Sequence, residues 1–421
     1  MRKLILYVLI SYSFLIGFFS REIGGLPYAY FIEGIILILI ALVVIKSGGS
    51  EFKALGNDLF YLFLLWFILS LIEGFNPGSS TMGWMSEIRS TALYPFSVTA
   101  LAFMIFGTNR DLDRFLILII GLSALAALNG IKQLYFGPFP GEQAFLQSGG
   151  GMTHVLFGKL RVFSFYSDAG QFGASQAHIG LVALILSAGP FRKWKRLALL
   201  LCALLLFYGM LISGTRGALF ALVVGAFVAL ILSKKFKVFL LGGLVATSLL
   251  FMLKFTYIGN SNYQIYRLRS AVNPDDPSLI VRLNTQRNLR EYMSSRPFGG
   301  GLGVIGYNGT QFNSDKYLST IPPDSYFVKV WVMYGIVGFT IWLSIMLYVF
   351  GMCCGFVWRI EDVALKVKLI ALTSGFVGIL FCSYGNEVIN SLPSSFVVYI
   401  SLAFIYMGPK LETLDKSNLL T

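Results

Sequence analysis

The sequence predicts an all-α polytopic membrane protein of about twelve transmembrane helices, on three observations: an apolar composition, apolar runs of spanning length, and positive charge between the runs. Hydrophobic residues make up 56% of the 421, and the mean hydropathy is +0.74. Apolar runs in such a chain must face something other than water. Crossing roughly 30 Å of hydrocarbon takes about 20 helical residues. Runs of that length fall near 3–19, 27–46, 58–75, 90–107, 114–134 and 171–190, then near 196–213, 217–233, 237–255, 325–357, 365–384 and 392–408. The first, LILYVLISYSFLIGFF, has no small-residue cleavage site before REIGGLPY, so it is expected to stay as a span. Residues 1–421 are then one integral membrane domain.

Orientation follows from the charges between spans. Lys and Arg total 33 against 20 Asp and Glu, a formal charge of +13. The basic clusters FRKWKR and SKKFKV are short and pinned between apolar runs, so they read as topology-setting loops and not as a nucleic-acid surface. With the N-terminus inside, the inner loops carry Arg2 and Lys3, Lys46 and Lys53, Arg110 and Arg114, and the clusters just quoted. Both termini come out cytoplasmic. Cys202, Cys353, Cys354 and Cys382 lie inside predicted spans without metal-ligand spacing, so no disulfide and no metal site is expected. A GxxxxGK[ST] phosphate loop is missing from the sequence, and no cofactor is expected.

This topology leaves two long outer segments, near 135–170 and 256–324. Loops of that length are usually functional or disordered. Both mix Tyr and Phe with Gly, Asn and Asp, which argues for order and for surfaces that stack on sugars or cover a cleft. Tyr263, Tyr266, Tyr292 and Tyr307 fit either those sugars or each other. Within the second, SLIVRLNTQRNLREYMSS has helical character, with Leu279, Val281, Leu283, Leu289 and Met293 available for an apolar side.

Arginine carries the charge of the second segment: Arg267, Arg269, Arg282, Arg287, Arg290 and Arg296 stand against the single Lys316. A guanidinium grips phosphate oxygens through two parallel bonds, whereas lysine acts as a point charge. A long translocated loop also escapes the charge rule, so some of these are merely solvated. Arg216 falls in the short outer turn SGTRG between two spans. It either snorkels to the interface or belongs to an anion site. The neighbouring Ser213, Gly214, Thr215 and Gly217 favour the second, since they permit close approach and offer hydroxyl and backbone donors. Arg161, in KLRVFSFYSDAGQF, is a similar case, and Arg89, in EIRSTALYPF, a weaker third. Forked cations converging on one outer face suit a lipid-linked pyrophosphate.

At this point four segments in order resemble the bacterial O-antigen ligase and polysaccharide polymerase superfamily, Wzy-type polymerases included. RVFSFYSDAGQFGAS is similar to the family's arginine-led segment before a span, and SGTRGALFAL to its Ser-x-x-Arg-Gly-Ala turn. VRLNTQRNLREYMSSRPFGGGLG resembles the large-loop pattern of an arginine, a helix, then Pro and a glycine run. PPDSYFVKVWVMYGIVG resembles the Pro-His-Asn-x-Tyr-Leu segment that ends in Gly-x-x-Gly. The resemblance implies a fold like that of C-class membrane glycosyltransferases, and undecaprenyl-pyrophosphate-linked glycans handled at the periplasmic face of the bacterial inner membrane. It also implies membrane lipids, a chain-length regulator and a flippase as partners, and no nucleic acid.

Carried over by position, Arg216 matches the turn arginine and Arg282 the loop arginine. The ligase histidine does not carry over: Asp324 fills its place, and Ser325 stands where the asparagine would be. That departure favours a chain polymerase over a ligase. The two histidines present, His154 and His178, lie elsewhere, His178 reading as a packed residue within a span. The expected chemistry is a single inverting displacement at the anomeric carbon. Arg216 and Arg282 stabilise charge on the departing pyrophosphate, with Arg161, Arg89, Arg287, Asp168 and Tyr326 as substrate contacts. Asp324 is the expected base; Asp168 and Glu87 are rivals on adjacent outer loops, and Asp324 equally suits the role of helix cap. An ordinary Asp has a pKa of about 3.9, so a base role needs burial to raise it. Two further charges fall inside spans, Glu33 and Lys329, the latter able to pair with an acid such as Glu387.

A transporter or flippase of lipid-linked sugars is the reading from another class. Transporters place binding groups near the bilayer midplane on broken helices, often in two similar halves. Here the charged candidates gather at one face and the halves differ in loop size, which favours an enzyme.

Overall fold

The computed structural model describes residues 1–421 except 48–49, 157, 235–243, 245–246, 249–250, 261–262, 271–272, 274, 276, 323–324 and 421. The first half of the chain forms α1 (Arg2–Glu22), α2 (Tyr28–Ser47), α3 (Asp58–Ile72), α4 (Thr81–Ile88), α5 (Tyr94–Ile105), α6 (Asn109–Tyr135), α7 (Pro140–Phe145), α8 (Gly151–His154) and α9 (Ala169–Ser187). The second half forms α10 (Lys193–Ile212), α11 (Arg216–Ser233), α12 (Tyr263–Ser270), α13 (Pro277–Met293), α14 (Gly306–Phe312), α15 (Tyr326–Arg359), α16 (Val363–Cys382) and α17 (Ser394–Leu420). Among the described residues the only sheet is a two-stranded antiparallel hairpin, β1 (Val155–Leu156) and β2 (Lys159–Leu160). The protein is an all-α polytopic membrane protein: eleven helices among the described residues are long and apolar enough to cross a membrane. The remaining expected span, 237–255, falls largely outside the described residues.

Burial sorts these helices into two layers. Between 72% and 83% of the spanning window is buried in α4–α5, α9, α16 and α17, against 22–50% in the other seven. The outer helices present large apolar side chains outward, such as Leu37, Ile38, Ile45 and Leu201, as a lipid-facing surface requires. The inner ones approach closely through small residues, since lipid supplies no hydrophobic drive between helices. Gly180 of α9 lies against Phe207 of α10, Gly225 of α11 against the Ser374 backbone of α16, and Gly378 of α16 against the Ala221 backbone of α11.

Side-chain oxygens start several helices. Asn57, Thr108, Asp168, Ser325 and Asp362 each accept a backbone N–H of the first turn. One expected boundary moves: the span placed at 90–107 begins at Thr81, because α4 runs through a wide turn at Arg89–Leu93 into α5. Its charges lower the hydropathy of that stretch, yet they are paired inside the protein and the helix continues. Glu87, expected on an outer loop, is thereby carried into the interior.

The large loop is tied down at its glycine run. Gly300 N–H donates to Val332 O (2.8 Å) and Gly301 N–H to Met333 O (3.0 Å), while Val337 N–H reaches Pro297 O (3.2 Å). These bonds hold RPFGGGLG on the break in α15 at Gly335, where the backbone leaves helical geometry at φ 68° and ψ −172°. From the other side Ser80 N–H binds Asn313 Oδ1 (2.7 Å), and Asn313 Nδ2 binds Gly303 O (2.8 Å). The expected helix over 279–295 is present as α13, but its apolar side is shorter than expected. Leu289 and Met293 are buried, whereas Leu279, Val281 and Leu283 are exposed. Residues two apart on a helix point about 200° apart, so Val281 lies off the side that Leu279 and Leu283 share, and those two sit in the exposed first half of α13.

Candidate active site

The two ends of the bundle are marked by different charges. At one end Lys3 binds Asp111 (2.7 Å) and Lys368 binds Asp113 (2.5 Å). At the other, where α1 finishes, Arg21 donates to Tyr166 O (2.8 Å) and Ser164 O (2.7 Å), fixing the 161–168 segment.

There the turn SYGNEVINS, residues 383–391, meets the beginnings of three helices. Asp168 caps α9, accepting from Gln171 N–H at 3.0 Å, and a β-carbon on Gly170 would stand 3.5 Å from Asn386 Oδ1. Helix α11 opens with Arg216, and a β-carbon on the next residue, Gly217, would lie only 2.1 Å from Asn386 Nδ2. Helix α15 opens with Tyr326, whose N–H donates to Ser383 O (2.9 Å) and Asn386 O (3.4 Å). Helix starts carry unpaired N–H groups and the positive end of the dipole, so their convergence favours an anion.

Two adjoining cavities of about 290 and 350 Å³ open at this turn, the size of small-ligand sites. The first carries the aromatic side chains Tyr94, Phe165, Tyr166 and Tyr326, beside Ile16 and Gly17 of α1. The second is polar, with Asp168, Arg282, Tyr307, Asn308 and Asn386. Gln171, Lys329, Glu387 and Ser391 line both, so the two form one cleft.

A charged triad sits at the junction. Lys329 Nζ lies 3.0 Å from Glu87 Oε1 and 2.9 Å from Glu387 Oε2. Glu87 is only 2% exposed, and its oxygens also accept from Thr91 Oγ1 (3.0 Å) and Asn308 Nδ2 (2.8 Å). Both oxygens of Glu87 are thus committed, which removes it as a rival base. Burial raises the Glu387 carboxyl above the usual carboxylate range, with Lys329 pulling it back only in part.

The arginines fall into two groups. Arg282 lies in the polar chamber, its Nη1 3.6 Å from where a β-carbon on Gly385 would stand. Arg161, Arg216 and Arg267 gather around the SGTRG turn. Arg161 Nη2 donates to Thr215 Oγ1 (3.5 Å), Arg267 Nη2 to Gly214 O (3.3 Å), and Arg216 Nη1 to Ser270 Oγ (3.2 Å). Asn386 links the groups, touching Gly217 on one side and lining the polar chamber on the other.

The remaining candidates are placed variously. Arg89 donates its Nε–H to Glu33 Oε1 (2.5 Å) and stacks over Tyr30, one residue from the cavity-lining Ser90. Arg287 is exposed on α13 and lines neither chamber. Tyr326 is buried in the aromatic chamber, its hydroxyl bound by Asn390 Nδ2. His178 is buried against Gly375, and His154 is enclosed by Phe145 and Phe163. Tyr307 lines the polar chamber, whereas Tyr292 packs at a tilt against Tyr317 and lies under Arg296. Asp324 lies outside the described residues. Sequence reasoning passed over Gln171, Asn386, Asn390 and Ser391. For the last three the one signal is the density of Asn, Glu and Ser in a turn of only nine residues between two apolar runs.

Residues 201–343 match the family model Wzy_C, described as O-Antigen ligase, and no curated protein matches the chain. The matched stretch takes in the Arg216 turn, the large loop with Arg282, and α15 through its break at Gly335. Over that stretch, about a third of its length, the chain is similar to the O-antigen ligase family.

Proposed function

We propose that this protein is an inverting glycosyltransferase that polymerises undecaprenyl-pyrophosphate-linked oligosaccharide repeats, working at the periplasmic face of the inner membrane. The observation that carries the reading is the cleft wall. Arg282 lies in it, and Asn386 connects it directly to the helix that Arg216 begins. Cations that can grip a diphosphate therefore border a cleft that also holds carboxylate and hydroxyl groups. The aromatic chamber, beside α1, suits the lipid-proximal part of a donor, and the polar chamber suits its diphosphate and sugars.

In this mechanism the acceptor hydroxyl attacks the anomeric carbon of the donor sugar as the bond to the pyrophosphate oxygen breaks. Arg282 and Arg216, with Arg161 behind the same turn, stabilise the charge that grows on the leaving group. Asp168 is positioned by its capping bond to face sugar hydroxyls from the polar chamber. The product is a longer chain on one lipid carrier and a freed carrier diphosphate. Asp324 in place of the ligase histidine favours polymerisation over ligation to a core acceptor.

The test is the lipid-linked intermediate that accumulates when the protein is deleted. Single repeats support a polymerase, and finished but unattached chains support a ligase. Purified protein that elongates lipid-diphosphate-linked repeats in detergent, with no membrane gradient, excludes transport as the explanation.

A further inference from the structure

We infer that Glu387 is the general base of the transfer, held in place by Lys329 and Glu87. The inference rests on the glycosyltransferase reading above and names a residue in that same cleft.

Three observations converge on it. Glu387 lines both chambers, so it stands where a donor's leaving group and an incoming hydroxyl would meet. It is 27% exposed on its side chain, whereas its partner Glu87 is 2% exposed with both oxygens bonded. And among the described residues its carboxylate is bonded through Oε2, to Lys329, which leaves Oε1 for the cleft.

The charge count assigns the roles. Two carboxylates share one ammonium, so the cluster carries one net negative charge when both are ionised. Glu87 is buried and fully bonded, which fixes Lys329 in position. The surplus charge then resides on the carboxylate that reaches the cleft. A base must face the substrate and be unprotonated at working pH, and Lys329 serves the second need by favouring the charged form. Arg282 in the polar chamber, beside Gly385, supplies positive charge two residues away along the same turn. The other titratable groups lining the chambers with Glu387 are Asp168 and Tyr307 in the polar one, and Tyr326, Tyr94 and Tyr166 in the aromatic one. Burial and the two neighbouring acids place its pKa above the ordinary carboxylate range, nearer to where a base works well.

The step balances. The acceptor oxygen uses a lone pair to form its bond to the anomeric carbon and gives its proton to Glu387 Oε1. The bond from that carbon to the diphosphate oxygen breaks, and its electron pair leaves with the diphosphate, whose charge the arginines meet. Glu387 then releases the proton to solvent through the open polar chamber.

The experiment is elongation of lipid-diphosphate-linked repeats by purified protein, with kcat and KM followed against pH for the native protein, Glu387→Gln, Glu387→Asp and Asp324→Asn. Glu387→Gln keeps the hydrogen bond to Lys329 and the side-chain volume, and its melting temperature and elution as a single species check that it is folded. The expected result is a fall in kcat of roughly 100-fold or more with KM for the donor little changed, and loss of the acid limb that the native profile shows. Glu387→Asp keeps the limb at reduced rate, and Asp324→Asn keeps it too. A folded Glu387→Gln protein with near-native kcat and the acid limb intact overturns the inference, as does loss of the limb in Asp324→Asn alone. Should the native protein itself fail to elongate, the glycosyltransferase reading falls first and takes this one with it.

Discussion

Asn386 occupies the space that a β-carbon on Gly217 would need, its Nδ2 only 2.1 Å from that position. Glycine there lets the start of α11 touch the 383–391 turn, so Arg216 and the cleft wall are held in one register. Gly217→Ala is expected to push the Asn386 amide aside without unfolding the protein, because the displaced group is the end of a side chain. Alanine also favours the helix by about 1 kcal/mol, which offsets part of the clash. Melting temperature should change little while elongation falls about tenfold or more, since small misplacements at a reacting centre are costly. Normal elongation by Gly217→Ala would show that this contact does not position the site.

Arg282→Lys and Arg216→Lys each retain a positive charge and lose the planar fork. If the guanidinium groups grip a diphosphate through paired bonds, each substitution lowers elongation by about 100-fold. Protein level in the membrane stays normal. Arg216 also donates to Ser270 Oγ, so Ser270→Ala serves as a control for loss of that bond alone. Normal polymer length with lysine at both positions would remove the diphosphate grip from the mechanism.

How much of this was readable in advance differs by residue. Spans are legible because lipid imposes a long apolar run on each outer helix, and Arg216 is legible because a charge at the mouth of two such runs needs a reason. Arg89 shows the limit of local reading: its partner Glu33 lies 56 residues earlier, and nothing local in EIRSTALYPF reveals the pairing. Glu87 was placed on a loop because a charged stretch lowers hydropathy whether or not the charges are neutralised inside. Lys329, Thr91 and Asn308 do neutralise and bind it, and only the folded chain shows them together. The 383–391 turn carries the same lesson. Asn and Ser in a short turn look solvated until three helix starts are seen to converge on them.

Gly335 makes the large loop's anchorage a sharp target. Its φ of 68° and ψ of −172° fall in a region that essentially only glycine occupies, at about 1–3 kcal/mol of strain for any other residue. A β-carbon would also lie 2.0 Å from Pro297 O and 2.4 Å from Gly299 N, backbone atoms that cannot step aside. Gly335→Ala should therefore release RPFGGGLG from α15 and lower the melting temperature of the purified protein markedly. Gly351, on the same helix with open space at its β-carbon, is the comparison: Gly351→Ala is expected to be neutral or slightly stabilising. Equal melting temperatures for the two variants would mean that the break in α15 does not anchor the loop.

His154 gives the segment near 135–170 a pH dependence of definite sign. The residue is 4% exposed, its ring between Phe145 and Phe163, with Nδ1 2.9 Å from Gly150 O and Nε2 buried without a partner among the described residues. Protonation would place an N–H on Nε2 with nothing to accept it, and burial accordingly holds the imidazole below its ordinary pKa. The unfolded chain takes up the proton near pH 6.5, before the folded one does. Stability is therefore intact above about pH 6.5 and falls as the pH drops from there toward the lower folded value. His154→Asn keeps a donor for Gly150 O and cannot titrate in this range. Melting temperatures at pH 7.5 and 5.5 should diverge for the native protein by more than for the variant. The same drop in both proteins would assign the acid sensitivity to other groups, whereas protection confined to the variant ties it to the ring enclosed by Phe145 and Phe163.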